Sequence, residues 1–132
     1  MAPRTTVVMR STLGRARGLG AAKGGLSEWW VQRVTAVALV PLVAWLVISL
    51  LVHLGEDATT VGHWAAKPWN AVLLLALLAA LFRHLGLGLK VAIDDYVHGE
   101  AARHAGVLVM QAVLVLFWIA ATVSVLRLAF AG

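Results

Sequence analysis

The sequence predicts an all-α membrane protein with three transmembrane helices, and three observations carry that prediction. Of 132 residues, 61% are hydrophobic and 13% charged, with a mean hydropathy of +0.88. A water-soluble domain of this size cannot hide so much apolar surface, because the buried fraction falls as domains shrink. The apolar residues also gather into three long runs, over about 29–53, 69–93 and 106–128. Roughly 20 helical residues cross a hydrocarbon core, so each run suffices. Lastly, Lys and Arg concentrate before the first run and around the link between the second and third, the asymmetry that orients spans in a bilayer.

Taken in order, residues 1–25 hold Arg4, Arg10, Arg15, Arg17 and Lys23 and no acidic residue. No apolar stretch follows at once, which argues against a secretory signal. A mitochondrial presequence is the alternative to a flexible basic cytoplasmic arm over 1–26, and a short prokaryotic chain fits the arm better. The net charge of +5 would suggest nucleic acid in a soluble protein. Here the bases sit where membrane orientation needs them, and no nucleic-acid partner is expected. The chain has no cysteine, which excludes disulfides, thiolate-held iron–sulfur clusters and covalent c-type haem within it.

The three-helix domain occupies 27–132. Ser27 reads as an N-cap with Glu28 at the positive end of the helix dipole. Trp29 and Trp30 read as interfacial anchors, and Pro41 as a kink tolerated within a bundle. Residues 54–67 form a short polar link with Glu56, Asp57, Thr59, Thr60 and His63. Lys67-Pro68-Trp69-Asn70 starts the second helix, residues 94–104 are a second loop or a helix extension, and the third run is the least interrupted. The N-terminal arm, Lys90 and Arg103 outweigh Lys67 and Arg127. This places the N-terminus in the cytoplasm and the C-terminus in the periplasm of a bacterial inner membrane.

Residues 82–99 carry the candidate chemistry. His84 lies ten residues before Asp94, roughly 15 Å below the end of the span and near mid-membrane. An ionisable group at that depth faces the bundle interior and usually has a task. Ala80, His84 and Gly88 share one helix face, and two small residues around a histidine leave a flat gap of the kind a macrocycle needs. Spacing leaves two readings open: a metal or haem-iron ligand, or a histidine hydrogen-bonded to another helix. Arg83 is a permanent charge about 100° around the helix from His84. It calls for a carboxylate such as a haem propionate or an acidic residue of another chain. Arg33, one turn inside the first span, reads as a snorkelling anchor or a contact to an anion or carbonyl. Asp95 extends the stripe of His84, Gly88 and Val91 to the mouth of the span. There the Tyr96 hydroxyl can hydrogen-bond a ligand carbonyl beside a carboxylate that relays protons. His98 and His104 are single loop histidines of low specificity. The phosphate loops, nucleophile elbows and zinc helices of soluble enzymes are absent.

The pattern H-x-x-L-G-x-x-V-x-x-x-D-Y, here His84, Leu87-Gly88, Val91 and Asp95-Tyr96, resembles the smaller membrane-anchor subunit (D) of succinate dehydrogenase, respiratory complex II. Asp95-Tyr96-Val97-His98-Gly99 is similar to its mitochondrial and alphaproteobacterial branch, and Arg33-Val34-Thr35-Ala36 to its R-x-T-A. The resemblance covers about 28–130. It implies three helices forming half of a haem-binding helical bundle with a second, cytochrome b-type anchor subunit. His84 would be one axial ligand of haem b iron, and Tyr96 would hydrogen-bond a ubiquinone carbonyl with Asp95 beside it. Arg33 would lie near the haem propionates and quinone. FAD and three iron–sulfur clusters would reside in partner flavoprotein and iron–sulfur subunits. Arg83 is outside the family pattern, and a propionate contact is one reading of it. A cofactor-free membrane adaptor and the anchor of a fumarate-reducing relative are the alternatives.

Overall fold

The computed structural model describes residues 12–13 and 25–130, so the basic arm predicted over 1–26 lies almost wholly outside the described residues. Among these the chain is helical, with helices α1 (Gly25–Val52), α2 (Ala58–Ala66), α3 (Pro68–Tyr96) and α4 (Glu100–Phe130). Helices α1, α3 and α4 are each long and apolar enough to cross a membrane, which matches the three runs seen in the sequence.

Helix α1 begins at Gly25, so Ser27 lies inside its first turn rather than at its cap; Glu28 is in that turn as well, where a negative charge meets the exposed amides. Pro41 sits within a helix that runs on to Val52. Gly55, with φ of +89°, then turns the chain in a conformation that L side chains rarely adopt.

The polar link expected over 54–67 is mostly a short helix. Asp57 caps α2 by accepting a hydrogen bond from the Thr60 amide at 2.9 Å, the side-chain N-cap that satisfies an otherwise orphaned donor. Lys67 ends α2 with φ −57° and ψ 130°, because the Pro68 ring drives the preceding residue out of the helical region. Pro68 itself opens α3, where its missing N–H costs nothing.

Helices α3 and α4 both outrun the apolar segments, leaving only 97–99 between them. Gly99, with φ of +114°, supplies the left-handed step of that tight connection.

Helix α3 is the centre of the molecule. It packs on α1 and on α4, which do not pack on each other, while α2 rests on α3 and α4. Both packings are antiparallel. Lys90 meets Glu28 and His84 meets Gln32 on one side; on the other, Gly86 faces Leu114 and Gly106 faces Ile93. A Cβ at either glycine would meet these side chains at ordinary contact distances of 3.5 and 3.6 Å. Trp64 of α2 stacks on Trp45 of α1, with centroids 5.7 Å apart. The buried apolar residues are few, Ala65, Ala71, Leu77 and Leu87, while Val37, Val40, Leu116 and Phe117 point outward. In lipid such faces cost nothing, since acyl chains are as apolar as leucine.

Candidate functional site

His84 sits at the middle of α3 on the side that meets α1, half-buried. Its Nδ1 is 3.0 Å from Thr35 Oγ1, and its Nε2 is 3.5 Å from the Gln32 side-chain nitrogen. Thr35 and Gln32 are three apart on α1 and therefore share its inward face. The Thr35 hydroxyl also donates back to the Val31 carbonyl at 2.8 Å and lies 3.1 Å from that of Gln32. The side-chain amide oxygen of Gln32, Oε1, is buried with no hydrogen-bond partner. One imidazole nitrogen is thus firmly held. The other has a contact at the limit of hydrogen-bonding distance, beside an unsatisfied polar atom.

The face of Ala80, His84 and Gly88, where a flat gap was expected, lies against the Gln32 side chain of α1. A Cβ on Gly88 would come within 3.7 Å of that side chain, an ordinary contact.

Arg83 points away from this contact. With Phe82, Gly86, Lys90, Gln111 and Trp118 it lines a cleft of about 450 Å³ between α3 and α4. Arg83 makes no hydrogen bond or ion pair with any described residue. Lys90, at the mouth of the cleft, is held by both Glu28 oxygens at 2.6 and 2.9 Å. Arg33 is exposed and lies over the Trp29 ring, 5.4 Å from its centroid, a cation–π contact one turn along α1.

Asp95 and Tyr96 occupy the last turn of α3, both exposed, with Tyr96 at 82%. The tyrosine hydroxyl carries no hydrogen bond among the described residues. Asp94, by contrast, pairs with Arg103 Nε at 3.7 Å across the 97–99 turn. A second hollow, about 560 Å³, is bordered by Lys90, Asp94, Arg103 and His104. His104 Nδ1 is turned back onto the Glu100 carbonyl at 3.1 Å.

The structure therefore joins His84 to α1 but forms no hydrogen bond from it to Arg33, Asp95 or Tyr96. The residues not foreseen are Gln32 and the Thr35 hydroxyl as imidazole partners, and Glu28 with Lys90 as an interhelical pair. A signal for them existed. Two polar residues three apart inside an apolar run mark a helix face that meets something polar. Among the described residues no three His, Asp or Glu side chains converge as a self-contained metal site, so any metal held at His84 would need a donor from elsewhere.

The sequence pattern of the succinate dehydrogenase/fumarate reductase transmembrane subunit family matches residues 8–128. The succinate dehydrogenase hydrophobic membrane anchor subunit of Rickettsia conorii is 32% identical over 98 residues, covering 74% of this chain and 78% of that protein. The same-named subunit of Rickettsia bellii is 30% identical over 121 residues, covering 91% and 96%. The succinate dehydrogenase membrane anchor subunit of Reclinomonas americana is 27% identical over 96 residues, covering 70% and 80%. No solved structure matches the chain significantly. With three apolar helices of spanning length and a match along nearly its whole extent, the chain belongs to the succinate dehydrogenase/fumarate reductase transmembrane subunit family.

Proposed function

We propose that this chain is the membrane anchor of a succinate:ubiquinone oxidoreductase that supplies one axial ligand of haem b through His84. As a component of complex II the chain is not itself catalytic. In this reading it docks the flavoprotein and iron–sulfur subunits at the membrane and completes a helical bundle with a second anchor subunit. The observation that carries it is the environment of His84: a mid-span imidazole with Nδ1 held by Thr35 and Nε2 met only marginally by Gln32. A single donor from this chain fits a haem shared between two chains, whereas a self-contained metal site would need more.

Haem, when bound, supplies a one-electron centre inside the bilayer. The remaining tasks fall to the protein. His84 Nε2 would be the donor atom, and the Gln32 side chain, 3.5 Å from it, would have to turn aside, as its rotatable bonds allow. Arg33, two positions before Thr35, is free to leave the Trp29 ring for an anionic group such as a propionate, because an exposed cation–π contact is worth only about 0.5–1 kcal/mol. Arg83 faces the opposite cleft, and a propionate contact would require it to turn around the helix. At the end of α3, twelve residues on and roughly 18 Å along the axis, the Tyr96 hydroxyl donates to a quinone carbonyl. Asp95 beside it holds or passes the proton. The charge bias of the sequence puts this end, with the N-terminus, on the cytoplasmic side.

Purification of the complex through a tag on this chain tests the reading. The expected result is co-purification of a second membrane chain and two soluble subunits, with a low-spin b-type haem in the reduced-minus-oxidised spectrum. His84→Leu should abolish or loosen the haem. A pigment-free complex with all subunits present, or unchanged haem ligation in His84→Leu, overturns it; the former would favour a cofactor-free adaptor.

A further inference from the structure

We infer that Thr35 is a positioning residue for His84: its hydroxyl oxygen accepts the Nδ1 proton, fixes the imidazole tautomer and leaves the Nε2 lone pair as the only donor to iron. The inference rests on the haem reading above.

Two contacts lead to the same tautomer. A threonine hydroxyl has one hydrogen and two lone pairs. Here the hydrogen has two backbone acceptors on its own helix, at 2.8 Å and 3.1 Å, the usual back-bonding of a helical threonine. With the hydrogen committed there, the oxygen meets His84 Nδ1 at 3.0 Å as an acceptor, so Nδ1 carries the proton. On the far side of the ring the Gln32 amide nitrogen, a donor only, lies 3.5 Å from Nε2, and Nε2 faces it with its lone pair. The opposite tautomer would turn a lone pair at Nδ1 toward a hydroxyl whose hydrogen is already engaged. It would also point an N–H at an amide N–H.

Such a partner does more than choose a tautomer. A ring N–H donated to an oxygen makes the opposite nitrogen a stronger donor and fixes the plane of the ring. Helix α1 would thereby tune an iron it does not touch, through a hydroxyl set on the inward face of its third turn. The tight hydrogen bond to the carbonyl four residues back holds that hydroxyl in one rotamer, so the imidazole is aimed by the α1 backbone as much as by α3.

The test compares wild-type complex with Thr35→Val, which keeps the shape and removes the oxygen, and with Thr35→Ser, which keeps the oxygen. Haem per assembled complex, the midpoint potential and the electron paramagnetic resonance g-values of the ferric haem are read. In Thr35→Val haem affinity should fall roughly 10–100-fold. The potential should rise, because a weaker donor stabilises ferric iron less, and the largest g-value should shift as the ring turns. Thr35→Ser should restore all three toward wild type. Wild-type values in Thr35→Val, or Thr35→Ser behaving like Thr35→Val, overturn the positioning role while leaving the haem assignment standing. Absence of haem from the wild-type complex removes that assignment instead. If Thr35→Val does not assemble, 15N-histidine labelling of the wild-type complex decides. An exchangeable proton on His84 Nδ1 with Nε2 bound to iron supports the role, and the reverse arrangement overturns it.

Discussion

Tyr96 and His84 show how differently one helix treats two polar residues. His84 is wrapped by α1 and its ring has a partner on each nitrogen, so its orientation belongs to the fold. Tyr96 is 82% exposed at the helix end, and in the proposed reading its hydroxyl is reserved for an incoming quinone. Tyr96→Phe should therefore leave haem content and succinate-to-dye electron transfer unchanged and lower quinone reduction roughly 2- to 10-fold, the worth of one hydrogen bond. Steady-state assays with dye and with quinone, run on the same preparation, distinguish the outcomes; equal quinone turnover would remove Tyr96 from the site. The placement of both residues along one span was legible in the sequence from their order and spacing. The partners of His84 were not, because nothing local in the second span states which face of the first will lie against it.

Among the elements, α2 is the one the sequence concealed. Polar content and short length made 54–67 look like a plain link, yet Asp57 followed three residues later by Thr60 is a capping arrangement, and the Pro after Lys67 sets the stop. The short helix is then secured by Trp64, which stacks on Trp45 and lies against His53. Hydrogen bonds from the Thr60 side chain and amide, the largest causes, hold the Asp57 carboxyl below its ordinary value of 3.8. A lowered folded-state value means the cap contributes fully above the unfolded-state value and is lost as pH falls through the folded one. Helical protection at Thr60 and Val61 should accordingly weaken only below about pH 4, and Asp57→Ala should weaken it at neutral pH as well. Amide exchange of the complex in lipid nanodiscs reads both; protection in Asp57→Ala equal to wild type would show that packing alone holds α2.

On the scale of the whole molecule, the arrangement is α1 and α4 on opposite sides of α3, with almost no shared core. Register between spans must then come from a few specific contacts. Lys90 with Glu28 is one, fixing the N-terminal end of α1 against the C-terminal part of α3; with side chains 32% and 49% exposed, it is worth no more than about 0–1 kcal/mol. Glu28→Lys should lower the unfolding temperature of the detergent-solubilised complex through repulsion of Lys90. Adding Lys90→Glu should recover part of that loss, whereas additive losses in the double variant would mean the pair does not couple. Arg83 and its cleft against α4 belong to the same scale. The carboxylate that lines this cleft, Glu28, is paired with Lys90 and not with Arg83, and the position of Arg83 became visible only once α4 was seen to cover that side of α3.

The sequence by itself determined the helical class, the three spans, the central place of His84 and the exposed Asp95-Tyr96 end. Each of these follows from local quantities: hydropathy summed over a window, rise per residue, and the cost of a polar group at depth. The basic arm expected over 1–26 lies almost wholly outside the described residues. Only the tertiary structure decided which side of α3 meets α1, and so that Gln32 and Thr35 lie against the imidazole and that Arg83 lines the cleft against α4. The reason is that a membrane helix, apolar on every side, carries little pattern to say which face it buries. The orientation of α1 about its own axis comes from shape and a handful of polar contacts, and those exist only once both helices are in place.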